Sequence, residues 1–244
     1  MNNLGLHPMV SRRRPALAAR RLRSRWWLNL RASIQRRLWA WSLPADDMAK
    51  RAFDVAFSAV VLVMLSPLFA LLALIIKLED GGPVLFRQVR VGRHGREFIM
   101  FKFRSMRTDA EQRLKELLAQ NQHAQGVTFK MKDDPRVTRI GKWLRKLSLD
   151  ELPQFYNVLI GNMSVVGPRP PVPREVELYT LADRRRLAVL PGITCIWQVS
   201  GRAQIDFHGQ VELDVRYIES RGFWHDIKII SKTLPAVLSG SGAC

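Results

Sequence analysis

The segment VAFSAVVLVMLSPLFALLALII, residues 55–76, runs for twenty-two positions without one charge. Wholly helical it would measure about 33 Å, enough for a hydrocarbon core about 30 Å thick, so this run belongs in lipid. It is too long for a secretory signal core, and no small-residue cleavage site follows it. Pro67 near its middle removes an amide donor and its ring meets the carbonyl of Val63, which predicts a break at Ser66-Pro67. The Ser66 hydroxyl is placed to serve the backbone freed there. Lys50 and Arg51 precede the run, and Lys77, Arg87, Arg90 and Arg93 follow it, so both ends carry the positive charge of a cytoplasmic flank. Two geometries remain: an ordinary kinked transmembrane helix, or a helix that enters, breaks and returns.

The chain has 39 Lys plus Arg against 21 Asp plus Glu, a net charge of +18, so its natural partners are anions: nucleic acid, anionic lipid or phosphorylated substrates. Residues 1–51 hold twelve basic and two acidic residues. Trp27, Leu30, Ile34, Leu38 and Trp41 follow one helical face among these arginines, which suits an anionic bilayer surface; a basic tail with no specific role is the alternative. Two cysteines, Cys195 and Cys244, are too few for a disulfide framework or a cysteine zinc site.

Beyond residue 78 the pattern turns soluble. Residues 84–91 and 96–103 read as strands of a hairpin joined across 92–95. Residues 108–122 read as a helix with a Thr108/Glu111 capping box. Further helices are predicted over 138–146, 149–160, 174–189, 209–220 and 224–238, with a Gly- and Pro-rich loop over 161–173. In the last helix Phe223, Trp224, Ile227 and Ile230 would rest either on a membrane interface or on the core. Asp226 and Lys228 read as a surface helix pair, and Trp197 and Gln198 as core-shaping.

Walker A, GxGxxG, HExxH and GxSxG sequences are absent, and the five histidines are scattered. What remains is Asp150-Glu151 among arginines. Ser148 and Glu151 form a capping-box pattern that would place both acids in a first helical turn, where they either merely complement the dipole or build a site. Arg145 five residues before Asp150, and Arg169 in Gly167-Pro168-Arg169-Pro170, favour a site for a phosphorylated ligand. A carboxylate approaching a diphosphate meets repulsion of about 4 kcal/mol per charge pair at 4 Å and an effective dielectric near 20, so cations are required. Lys102 and Arg104 stand either near this site or on the solvent or headgroup face of a strand.

These blocks resemble the bacterial sugar transferases, the monotopic polyprenyl-phosphate sugar-1-phosphate (phosphoglycosyl) transferases. The resemblance covers residues 50–244 through KRAFDVAFS, LSPLF, GGPVLFRQVRVGRHGREFIMFKFRSM, DPRVTRIGKWLRKLSLDELPQFYNVLIGNMSVVGPRP, LPGITCIWQVSGRAQIDF and LDVRYIESRGFWHDIKIISKTLPAVL. It implies a re-entrant helix broken at Ser66-Pro67 and an Asp150-Glu151 dyad that also holds Mg²⁺. Asp150 would attack the β-phosphate of a UDP-sugar, release UMP and pass the sugar phosphate to undecaprenyl phosphate. Arg145 and Arg169 would contact phosphate, and Lys102, Arg104 and Arg202 would serve the substrates or the dyad's surroundings. Cys195 departs from the glycine of many relatives, which bears on loop geometry, and residues 1–48 lie outside the shared part.

The expected architecture is a helix-rich α/β, monotopic membrane protein: a basic extension over 1–48, a re-entrant membrane helix over 49–78, and a cytoplasmic catalytic domain over 79–244 with a small β-hairpin and amphipathic helices. The expected location is the cytoplasmic face of a bacterial inner membrane. Anionic lipids are expected partners, nucleic acid is not, and a homo-oligomer is left open. The rival reading is a membrane-tethered basic scaffold that binds nucleic acid or anionic lipid without catalysis.

Overall fold

The computed structural model describes residues 47–110, 112, 113, 134–201 and 204–238. Contacts divide the chain into Met1–Met48 and Ala49–Cys244. The Arg/Trp helical face, most of the helix expected over 108–122, and Arg202 lie outside the described residues.

The apolar run forms α1 (Asp47–Met64) and α2 (Ser66–Asp80), bent from each other by 60° at Leu65. Among the described residues no single helix is long and apolar enough to cross a membrane; this pair meets the criterion only together. Pro67 lies in the first turn of α2, where its missing N–H costs nothing. The Ser66 hydroxyl donates to the Val63 carbonyl at 2.8 Å, the group that the proline leaves without its amide.

Both ends of the pair are fastened to the rest of the fold. Near the start of α1, Lys50 pairs with Asp226 and Arg51 donates to the Val158 and Leu159 carbonyls at 2.6 and 3.0 Å. The buried Asp54 carboxylate accepts from the Val165 amide at 3.1 Å. At the far end, Leu72 and Ile76 pack with Phe103 and Leu144, Glu79 accepts from the Ile140 amide at 3.1 Å, and Asp80 pairs with Arg104. Val60, Val63, Met64, Leu71, Leu74 and Leu78 stay exposed.

After α2 come β1 (Leu85–Val91) and β2 (Glu97–Phe103), antiparallel in the register Leu85↔Phe103 and Val91↔Glu97. They are joined by a 3₁₀ turn, Arg93–Gly95, with His94 and Gly95 both left-handed. Helix α3 (Arg139–Lys146) is capped by the Thr138 hydroxyl accepting from the Gly141 amide at 2.9 Å. There follow a 3₁₀ turn at Leu149–Glu151, α4 (Gln154–Leu159), β3 (Ser164–Val166), α5 (Pro173–Glu177), a 3₁₀ segment at Asp183–Ala188, β4 (Gly192–Thr194), α6 (Ile196–Ser200), α7 (Phe207–Ser220) and α8 (Phe223–Leu238). β3 and β4 pair in parallel, and their side chains join Met100, Val158, Met163, Tyr217 and Ile229 around the core.

Four expectations are corrected. The helix over 149–160 starts late, because Ser148 is left-handed with φ 53° and its side chain caps nothing. A helix begun at Leu149 would also need a Pro153 amide to bond the Leu149 carbonyl, so it restarts after that residue. The helix over 174–189 is interrupted because Asp183 and Thr180 bond each other's backbone and side chains, Thr180 N–H to Asp183 at 2.9 Å among them. The loop over 161–173 contains β3. Asp226 is no surface pair with Lys228: it is 2% exposed, holds Lys50 and accepts from the Tyr217 hydroxyl at 2.8 Å. Helix α8 divides its apolar residues, Phe223 and Trp224 facing outward and Ile230 packing on the core.

Candidate active site

Three chain segments converge on Asp150 and Glu151. The first is β2, which Asn157 of α4 grips like a neighbouring strand: the Phe101 amide donates to Asn157 Oδ1 at 3.0 Å, and Asn157 Nδ2 donates to the Ile99 carbonyl at 2.7 Å. That grip fixes the Leu149–Glu151 turn against Lys102. The second is α3, whose Gly141 lies so close to the Ser105 carbonyl that a Cβ there would stand 1.9 Å from its oxygen. The third is the loop after β3. Gly167 N–H donates to the Thr194 carbonyl at 3.0 Å and Gly192 N–H to the Pro168 carbonyl at 2.8 Å. A Cβ on Gly192 would lie 2.1 Å from the Gly167 nitrogen, so this approach requires glycine, and it delivers Arg169 to the carboxylates.

Lys102 Nζ donates to Glu151 Oε1 at 2.8 Å, and Arg169 Nη1 to the same oxygen at 3.2 Å. Burial acts to raise the Glu151 pKa, but the Lys102 and Arg169 charges outweigh it and hold the carboxyl down at about 2. Asp150 differs from its neighbour. It is 8% exposed and makes no hydrogen bond to a described residue. Burial raises its pKa above the ordinary carboxylate value, Lys102 opposes this, and the Glu151 charge adds to it, while Arg145 and Arg169 pull it down. One carboxylate is thus locked as an anion, and the other is held among cations with its oxygens uncommitted.

The dyad opens on a cleft of about 990 Å³ whose walls carry Lys102, Arg104, Arg145 and Arg169. The structure therefore brings together every expected site residue except Arg202, outside the described residues, and Ser66 and Pro67, which sit at the helix bend. Arg104 does not reach the dyad's carboxylates; its partner is Asp80. Sequence reasoning missed Asp134, which holds Arg136 through two guanidinium nitrogens at 2.9 and 2.5 Å, although the quoted DPR motif was its signal. It also missed Arg186, buried with Asp214 and donating to the Tyr179 hydroxyl at 3.1 Å. Nothing in the Arg184-Arg185-Arg186 run marks which guanidinium turns inward. Trp197 is buried, as expected of a core residue, and also lines the cleft. Cys195 sits in extended backbone, φ −150°, which any residue adopts, so the loop accommodates it.

Among the described residues no three His, Cys, Asp or Glu side chains cluster as a metal cage. A pair of adjacent carboxylates still fits Mg²⁺, which is commonly bound through one or two carboxylates and completes its shell with substrate phosphates and water.

Residues 45–240 match the family model described as bacterial sugar transferase, and the chain belongs to that family. It is 52% identical over 197 residues to a galactosyl transferase, CpsE, of Streptococcus agalactiae, covering 80% of this chain and 43% of that protein. It is 43% identical over 203 residues to the exopolysaccharide production protein ExoY of Rhizobium meliloti, covering 82% of this chain and 90% of that protein. To the undecaprenyl-phosphate galactose phosphotransferase of Salmonella typhimurium it is 45% identical over 197 residues, covering 80% of this chain and 41% of the other. The chain thus spans less than half of two of these relatives and nearly all of ExoY.

Proposed function

We propose that this chain is a membrane-anchored phosphoglycosyl transferase that moves hexose-1-phosphate from a UDP-sugar to undecaprenyl phosphate, the initiating step of an exopolysaccharide or O-antigen. The observation that carries the reading is Asp150: buried, without a protein hydrogen bond among the described residues, and faced by Lys102, Arg145 and Arg169. An Asp150 oxygen forms a bond to the β-phosphorus, the bond from that phosphorus to the bridging oxygen breaks, and UMP leaves with the electron pair. The aspartyl phosphodiester then yields its phosphorus to an oxygen of undecaprenyl phosphate, which restores the carboxylate and releases the polyprenyl-diphosphate sugar. Lys102 and Arg169 hold Glu151 ionised and supply positive charge where the transferred phosphoryl group must sit. Asp150 and Glu151 would hold Mg²⁺, which supplies charge neutralisation for the diphosphate.

The anchor reading rests on the two fastened ends. A bent pair tied to one domain at both ends places both ends on one side of any bilayer it enters. With limbs dipping symmetrically and a 60° bend, each reaches roughly 12 Å deep at 1.5 Å per residue, short of the middle of a core about 30 Å thick. The exposed Val60, Val63, Met64, Leu71 and Leu74 supply its lipid-facing surface, and the basic flanks favour anionic headgroups on the cytoplasmic face.

The galactose in two relatives' names makes UDP-galactose the first donor to test, with UDP-glucose and N-acetylated UDP-hexoses beside it. Purified protein given radiolabelled donor without lipid should release one equivalent of UMP, and undecaprenyl phosphate should then carry the label away. Asp150→Asn should do neither while remaining folded. Turnover by Asp150→Asn would remove Asp150 as the nucleophile, and no UMP from any donor would return the field to the non-catalytic scaffold.

A further inference from the structure

The site just proposed must serve two phosphates in turn, one arriving from solution and one on a lipid, and the cations of the cleft are laid out in a way that separates them. Lys102 and Arg104 lie two residues apart in extended chain, since the Arg104 amide continues the hairpin ladder to the Val84 carbonyl at 2.9 Å. That spacing sets both side chains on the same face, about 7 Å apart along the strand. Lys102 ends on Glu151, beside the nucleophile. Arg104 ends on Asp80, the last residue of α2. The two cations therefore form a track from the dyad to the point where the anchor helix stops.

We propose that Arg104 receives the phosphate of the polyprenyl acceptor and that Asp80 holds this guanidinium in place until the acceptor arrives. The proposal rests on the transferase reading and deepens it. A polyprenyl phosphate keeps its chain in lipid, so its phosphate approaches Asp150 from the anchor side, and Arg104 is the cleft cation bound to the anchor's end. The Arg104 side chain is 6% exposed, and its Nη1 is buried with no hydrogen-bond partner among the described residues, so a donor stands ready that the fold does not use. Asp80, by contrast, is 31% exposed and is readily hydrated once released. The turn after α2 is shaped around this guanidinium: a Cβ on Gly82 would stand 2.0 Å from Nη1, so only glycine lets the side chain lie where it does.

The test uses the full chain in detergent without a sugar donor, so that no chemistry intervenes, and measures equilibrium affinity for undecaprenyl phosphate and, separately, for UMP. Arg104→Gln should weaken undecaprenyl phosphate at least tenfold and UMP less than twofold. Asp80→Asn, which frees the guanidinium, should tighten undecaprenyl phosphate at least twofold and leave UMP unchanged. Equal losses for both ligands in Arg104→Gln would assign Arg104 a purely structural role. A larger loss for UMP would assign it to the donor, and an unchanged lipid affinity would remove it from the site; each overturns the proposal. Weaker lipid binding in Asp80→Asn would overturn the handover. Failure of the transferase reading shows elsewhere, as absence of UMP release from every donor, and leaves these affinities measurable.

Discussion

One oxygen of Glu151 takes hydrogen bonds from both Lys102 and Arg169, and the adjacent Asp150 takes none from a described residue. The Glu151 pKa is depressed from 4.5 to about 2, so its contribution to stability is fully present above the unfolded value and is lost as pH falls from 4.5 towards 2. The raised Asp150 pKa acts in the opposite sense, favouring the fold while protonated and costing stability as pH rises through its folded value. Glu151→Gln leaves the Lys102 ammonium buried without its counter-charge. It should lower stability at pH 7 by about 3 kcal/mol, and the gap to the parent chain should narrow as the pH falls from 4.5 to 2. Urea unfolding across that range checks it, and a gap that stays constant with pH would show that Glu151 gains nothing from being ionised.

At the scale of elements, the bend between α1 and α2 depends on a donor missing at Pro67 and on a hydroxyl at Ser66 that stands in for it. Pro67→Leu restores the amide to the Val63 carbonyl and should straighten the pair. Spin labels at the exposed Ala52 and Leu78 should move from about 34 Å to about 39 Å apart, taking 1.5 Å per residue along each limb. An unchanged distance would mean that tertiary fastening, not the proline, sets the angle. This break was legible in the sequence because proline acts on its own neighbours. The hairpin was legible too, from two β-rich runs flanking the glycine-bounded turn at 92–95, each of which forms a seven-residue strand. Strands β3 and β4 were not, since three residues apiece are too few to display a period. The Ser148–Glu151 pattern misled because it matches a capping box residue for residue, whereas the left-handed Ser148 leaves its hydroxyl unused.

Across the whole molecule, the carboxylate pair and its arginines were readable as chemistry before any fold was known, because unlike charges crowded around adjacent acids need an anionic ligand to account for them. Which cation serves which anion was not readable. Lys50 and Asp226 are 176 residues apart, and Lys102 and Glu151 are 49 apart, distances over which sequence carries no pairing signal. Arg104 was placed beside the substrates by resemblance, and its partner Asp80 emerged only from the packing of α2 against β2. On the function proposed above, the bent helix pair, the carboxylate turn and the Gly167–Gly192 contact would act together to bring a lipid-borne phosphate and a nucleotide sugar to one carboxylate. That claim is tested most directly by mass spectrometry of the chain after incubation with UDP-hexose and no lipid acceptor. The account predicts a mass increase of one hexose phosphate, mapped to the peptide bearing Asp150 and removed by undecaprenyl phosphate. An unmodified Asp150 in a preparation that transfers the sugar phosphate to lipid would contradict it.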